Sequence, residues 1–356
     1  AMKQSQLEEN YSKFSARKII FIIGALIVLA VVIPVSASWG AASVPIGDVL
    51  RSIGAKVLPF LEIESVDFAD TVVWDLRLPR IVMAIIGGAG LALAGATMQG
   101  ILRNPLASPF TLGISAAAGF GAALAIVLGA GVTGGPGDES LIVSNAFVFA
   151  LIAAFLVFML ARLRGLTPVT LILAGIAVMY LFSALTSSLQ YIGTAEEVHS
   201  VVFWIMGSLT ASSWSKVLVV AIIFFVCLPL LIKYSWDLNA MAAGDETATA
   251  LGTNIRKVRA ICMVLATLIT ASVVAFNGVI GFICLVSPHI TRMIIGGDHR
   301  YLMPASCIVG GILLLIADTL ARTMFQPSEL PIGIMTAFIG VPFFIYLILI
   351  TRKEYF

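Results

Sequence analysis

Residues 19–38 read IIFIIGALIVLAVVIPVSAS, twenty positions without a charged side chain. At about 1.5 Å per residue a helix of that length covers about 30 Å, the thickness of the hydrocarbon layer of a bilayer. The run is too long for a cleaved leader and no soluble domain follows it, so it reads as a first membrane span. The pattern repeats outward from it. With 19–39 as the first, further spans are expected at 77–102, 110–130, 141–163, 168–191, 214–232, 257–278, 280–295, 302–322 and 331–351. Composition agrees, since 60% of the 356 residues are hydrophobic and only 11% are charged. Lipid offers no partner to backbone polar groups, so spans of this length close their hydrogen bonds as helices. The expected fold is all-α: a polytopic membrane protein of about ten transmembrane helices.

Two of these segments depart from a plain span. The stretch 280–295 is short and holds Pro288, and 110–130 is rich in Gly and Ala, so both are expected as broken or half-length helices. Val198 to Leu209, with Trp204 and Met206, is amphipathic and reads as an extra short helix near the surface. Residues 1–18 are expected as a cytoplasmic tail and 19–356 as one transmembrane domain. With ten spans and both termini inside, 15 of the 21 basic residues fall on the cytoplasmic side, as the positive-inside bias requires. The longest loop on that side lies at about 236–256. Its centre, Met241 to Gly252, has small helix-forming residues followed by a Gly stop and reads as a short surface helix.

Six basic residues remain on the opposite side: Arg51, Lys56, Arg77, Arg80, Lys216 and Arg322. Arg77, Arg80 and Arg322 flank helix ends. From spacing alone they either snorkel or pair with carboxylates such as Asp75, or they receive an acidic soluble partner. A weak internal similarity at an offset of 179 pairs Arg77 with Arg256, Arg80 with Arg259, Ala92 with Ala271, Ala96 with Ala275 and Pro109 with Pro288. A repeat of five spans would be inverted, an arrangement common in transporters.

Several chemistries are disfavoured. Cys227, Cys262, Cys284 and Cys307 lie in apolar spans without metal-ligand spacing, and His199, His289 and His299 are separated from one another. No phosphate-binding Gly-x-x-x-x-Gly-Lys-Ser/Thr loop occurs, so ATP-driven work requires a separate ATPase. No nucleophile–base pair suggests an intramembrane enzyme. Asp318 is the only acidic residue well inside the expected spans, which argues against an ion-gradient-driven secondary transporter, the alternative from another class.

The residues also carry a family resemblance. Arg77-Leu78-Pro79-Arg80, Gly95-Ala96-Thr97-Met98-Gln99-Gly100, Arg103-Asn104-Pro105-Leu106-Ala107-Ser108-Pro109, Gly278-Val279-Ile280-Gly281-Phe282, Pro288-His289-Ile290-Thr291-Arg292 and Glu329-Leu330-Pro331-Ile332-Gly333 resemble the FecCD family of permeases over about 70–356. The resemblance implies the membrane subunit of a type II ABC importer in the inner membrane. Its expected partners are a second permease copy (a homodimer, with a heterodimer as the alternative), a cytoplasmic ABC ATPase dimer supplying ATP and Mg chemistry, and an external binding protein. No cofactor of its own, no catalytic residue and no nucleic acid are expected. The expected cargo is an iron chelate, ferric siderophore before haem, with cobalamin or an oxyanion as alternatives.

By the same resemblance, coupling to the ATPase falls to Ala243, Gly244, Asp245, Glu246, Ala248, Ala250, Leu251 and Gly252, and binding-protein docking to Arg77, Arg80 and Arg322. The gate falls to Asn104 and Leu106, opposed by Thr167, Pro168 and Val169. Pro168 departs from the hydroxyl-rich version of that stretch associated with cobalamin permeases.

Overall fold

The structure, a computed structural model, describes residues 2–40, 44–61, 67–133 and 138–350. Helix α1 (Met2–Ser38) leads to the short amphipathic α2 (Ile46–Val57) and a single 3-10 turn, Pro59–Leu61. α3 (Asp67–Asp70) runs through a π-helical stretch, Thr71–Arg77, into α4 (Leu78–Leu102). After a 3-10 turn at Pro109–Leu112 come α5 (Ile114–Leu128), α6 (Glu139–Arg162), α7 (Pro168–Ile192), α8 (Ala195–Met206) and α9 (Trp214–Lys233). The short α10 (Ser235–Ala242) and α11 (Asp245–Ala250) precede α12 (Ile255–Asn277), α13 (Ile283–Ile295), α14 (His299–Thr323) and α15 (Ile332–Ile350).

Among the described residues, eight helices are long and apolar enough to cross a membrane, and α5 and α13 are shorter apolar helices. Together they account for the ten segments of the sequence reading, and the two short ones are the two marked there as half-length. Their starts show why. α5 begins at Gly113, whose φ of +79° ends the preceding 3-10 turn. α13 begins after Phe282, a non-glycine residue at φ +64°. A left-handed residue stops helix propagation, so each of these helices starts only after it. The amphipathic segment is α8, three residues earlier than expected, because Thr194 and Glu197 form a capping box that fixes its start. Residues 2–18 are helical and continuous with the rest of α1.

Burial sorts the helices. In the span that contains α4, 83% of the apolar window is buried, against 11% for α1. α4 is the central post, surrounded by α9, α12, α13 and α14. Lipid tails are as apolar as leucine, so tight association here depends on close van der Waals packing between small residues. Gly88 of α4 and Gly310 of α14 cross backbone to backbone: a Cβ on either would run into the other's carbonyl oxygen. Gly95 meets the Cys284 carbonyl of α13 in the same way. α12 runs antiparallel to α4, because Arg259 near its start reaches the Ile101 carbonyl near the end of α4 at 3.1 Å.

The two ends of the bundle differ. At one, Lys18 of α1 lies 3.5 Å from Asp298 at the head of α14, close to α10 and α11. At the other, α1 is clipped to α14 by Ser36 Oγ, 2.8 Å from Thr319 Oγ1.

Candidate functional site

The first candidate region is the pair α10–α11. The sequence suggested one surface helix over 241–252; the structure corrects this to two, because Gly244 adopts φ +114° and ψ 154°, a conformation reserved for glycine. α11 starts immediately after it and ends at Ala250, capped by Leu251, and Gly252 at φ +88° turns the chain toward α12. Ala248 is buried and anchors the module. Ala243, Glu246, Ala250 and Gly252 are exposed, and Leu251 is 70% exposed.

What holds this module is Arg259, absent from the expected site. Its guanidinium, buried in α12, grips both oxygens of Asp245 at 2.9 and 3.0 Å and also donates to the carbonyls of Ile101 and Leu166 at 3.1 Å each. One side chain thus ties α11 to α12, to the end of α4 and to the turn before α7. A second tie runs through α10. Asn239 donates to Asp298 at 2.8 Å and accepts from the His299 backbone at 2.8 Å, while the Arg300 guanidinium chelates Asp298 and lies 4.1 Å from the Trp236 ring centroid. Burial works to raise the Asp298 carboxyl, but hydrogen bonds from Arg300 and Asn239 outweigh it and hold the group well below the usual carboxylate range. Hydrogen bonds thus tie α10 and α11 to the ends of α4, α12 and α14.

The expected gate lies at this same end. Asn104 Oδ1 accepts from the Leu106 backbone at 2.9 Å, an Asx turn after the left-handed Arg103. Thr167 caps α7 by accepting from the Thr170 N–H at 3.2 Å. Pro168 occupies the first helical turn, where its missing N–H costs nothing. Asn104, Thr167, Pro168 and Val169 share the wall of one cavity of about 730 Å³ with Asp245. Leu106, 57% exposed, is outside that wall. Residues expected for coupling and residues expected for the gate thus share one cavity wall at Asp245, a proximity that the separation in sequence did not reveal.

Arg77, Arg80 and Arg322 lie at the opposite end, and all three are buried. They are 6%, 9% and 6% exposed. Arg80 makes a two-pronged pair with Asp318, itself fully buried, and a further ion pair with Glu329 at 2.8 Å. Arg322 donates to the Ser36 carbonyl and to Ser36 Oγ, and Arg77 to the carbonyls of Ala37 and Ser38. Asp75 is not the carboxylate used by Arg80; Asp318 and Glu329, 238 and 249 residues away, are. Burial decides this: a guanidinium inside a bundle needs partners within reach.

A family model described as the FecCD transport family matches residues 26–350. A candidate ABC transporter permease protein of Methanocaldococcus jannaschii is 42% identical over 98% of this chain and 99% of its own length. The cobalamin import system permease protein of Halobacterium salinarum is 41% identical over 79% of this chain and 74% of its own. Other similar relatives are described as import permeases for molybdate, Fe(3+)-citrate and hemin. Among solved structures, an inward-facing conformation of a candidate metal-chelate type ABC transporter superposes with a TM-score of 0.80 at 34% identity, covering 92% of this chain and 98% of that one.

Proposed function

The chain belongs to the FecCD transport family, and from that premise we propose that it carries an iron chelate, ferric siderophore before haem, across the inner membrane. It is the permease subunit of an ABC importer, a multi-pass membrane protein. The finer parts of the reading are a cytoplasmic ATPase dimer seated on α10–α11, an external binding protein at the end marked by Arg80, and a second copy of the chain beside the first. Cobalamin or an oxyanion is the alternative cargo, since relatives are described as permeases for both.

The observation that carries the reading is the mechanical linkage at Asp245. A partner that closes and opens against α10–α11 moves a module whose fixing point, Arg259, holds the ends of α4 and the turn before α7. These elements frame the cavity at the expected gate. Closure of the ATPase pair would rock them and change which side of the membrane the pathway meets. Docking of the binding protein at Arg77, Arg80 and Arg322 would exchange internal partners, Asp318 and Glu329 among them, for carboxylates of the visitor.

Replacing Leu251 by Asp tests the coupling role. The side chain is exposed, so the fold should change by less than about 0.5 kcal/mol. Uptake of chelate into proteoliposomes holding permease, ATPase and binding protein is expected to fall by about tenfold or more, equivalent to about 1.4 kcal/mol of lost contact. Uptake at the parent rate would remove the module from the coupling path.

A further inference from the structure

The short helix α2 has three faces, and the transport reading uses none of them. Ile46, Leu50, Ile53 and Val57 recur at i, i+4, i+7 and i+11, the spacing that sets them in one strip along a helix. Ile46, Leu50 and Val57 are 45%, 55% and 60% exposed, and the following turn adds the exposed Phe60. A second face, Val49 and Ser52, is buried against the rest of the chain. The third carries Asp48 and the exposed Arg51, which pair loosely at 3.6 Å. A helix lying between protein and water needs only the last two. An apolar strip left open beside them marks contact with another body.

The level of α2 identifies that body. The apolar span of α1 ends at Ser38 and α2 begins at Ile46, so α2 stands where a membrane span runs out. Tryptophans cluster at the same level. Trp39 follows the last residue of α1, Trp74 donates its indole N–H to the Ser52 carbonyl of α2 at 3.1 Å, and Trp214, which opens α9, donates its own to the Trp74 carbonyl at 3.0 Å. Tryptophan, with an apolar body and one polar N–H, is enriched at the headgroup level of a bilayer. Lys56 Nζ lies 4.9 Å from the Trp74 ring centroid, with its stem running beside the apolar strip, as a lysine at that boundary does.

We propose that α2 is an in-plane membrane anchor, lying along the lipid–water boundary at the Arg77 end of the bundle. Ile46, Leu50 and Val57 sit among the upper acyl carbons of phospholipids, and Asp48 and Arg51 face water. The partner is the lipid surface itself and not one kind of headgroup, since α2 carries Arg51 and Lys56 against Asp48 and no basic cluster. This anchoring requires only that the chain cross the membrane, whatever its cargo. Through Trp74, α2 is tied to the stretch Thr71–Arg77, and Arg77 holds the Ala37 and Ser38 carbonyls at the end of α1. The depth at which α2 floats therefore sets the depth of the arginine-bearing end.

The test is electron paramagnetic resonance on the full chain in nanodiscs of neutral lipid, with a nitroxide attached through Leu50→Cys, Val57→Cys or Arg51→Cys, all at exposed positions. The unsubstituted chain, whose four cysteines are buried, is the blank. Power saturation compares collisions with oxygen, which concentrates in lipid, and with a water-soluble nickel chelate. Oxygen is expected to dominate at positions 50 and 57 and nickel at position 51. Nickel dominating at all three overturns the proposal. Two other covers leave their own signatures. Broadening between labels at position 50 that is removed by dilution with unlabelled chain identifies a second copy on the strip, and protection from nickel that arises only when a binding protein is added identifies that protein; either result also overturns it.

Discussion

Replacing Arg80 by alanine is expected to cost about 3 kcal/mol of stability, seen as a large drop in the unfolding temperature of the purified chain and in its yield. The substitution leaves Asp318, fully buried, without the fork that grips both its oxygens. Arg322 Nε, at 4.0 Å, is too distant to replace it. Arg80→Lys keeps the charge but loses the planar two-pronged geometry, so it should fall between parent and alanine. Removing both members, Arg80→Met with Asp318→Leu, should recover most of the loss, because no unpaired charge then stays inside. Equal instability of the single and double variants would show that the cost lies in packing instead. An unfolding temperature unchanged in Arg80→Ala would show that the pair with Asp318 contributes nothing to stability.

Gly88→Val is expected to be as damaging for a different reason. Its Cβ would meet the Gly310 carbonyl, with Leu314 Cβ at 2.9 Å, and neither atom belongs to a flexible tip. α4 and α14 would have to separate, giving up contacts along the length of the central post, at a cost of about 3 kcal/mol. Gly24→Val is the control, since nothing lies within 4 Å of a Cβ there. Comparing detergent-solubilised yield and thermal unfolding of the two variants checks the crossing; matching behaviour would mean that α4 and α14 do not touch at these glycines.

These two cases show what was readable in the sequence and what was not. The spans were readable because a membrane imposes one length and one polarity on every crossing segment, and even the irregular pair, α5 and α13, announced themselves through Gly, Ala and Pro. The module at 235–250 was readable as a surface element, but its break at Gly244 was not, since the same glycine serves equally as an ordinary helix residue until φ is known. Burial of Arg80 depended on Asp318 and Glu329, far away in the chain. The role of Arg259 had one faint trace, its match to Arg80 at an offset of 179, and both turn out to be buried arginines that grip a carboxylate near the start of antiparallel helices. The Gly88–Gly310 crossing left no local signal, because each glycine is explained only by the other. The gate residues were reached through family resemblance alone.

α1 carries a consequence of its own. Its apolar span, Ala16–Ser38, is 23 residues long and little of it is buried within the chain, while Ser36 and Ala37 at one end are fastened to Arg322 and Arg77. At about 1.5 Å per residue the span measures about 35 Å, longer than the roughly 30 Å it must cross. Such a helix leans to fit, and it leans more in a thin membrane than in a thick one. With one end pinned, the lean becomes leverage on the arginines, so the charged cluster would feel the thickness of the lipid around it, and exchanging short-chain for long-chain lipids should alter that end of the molecule before any other.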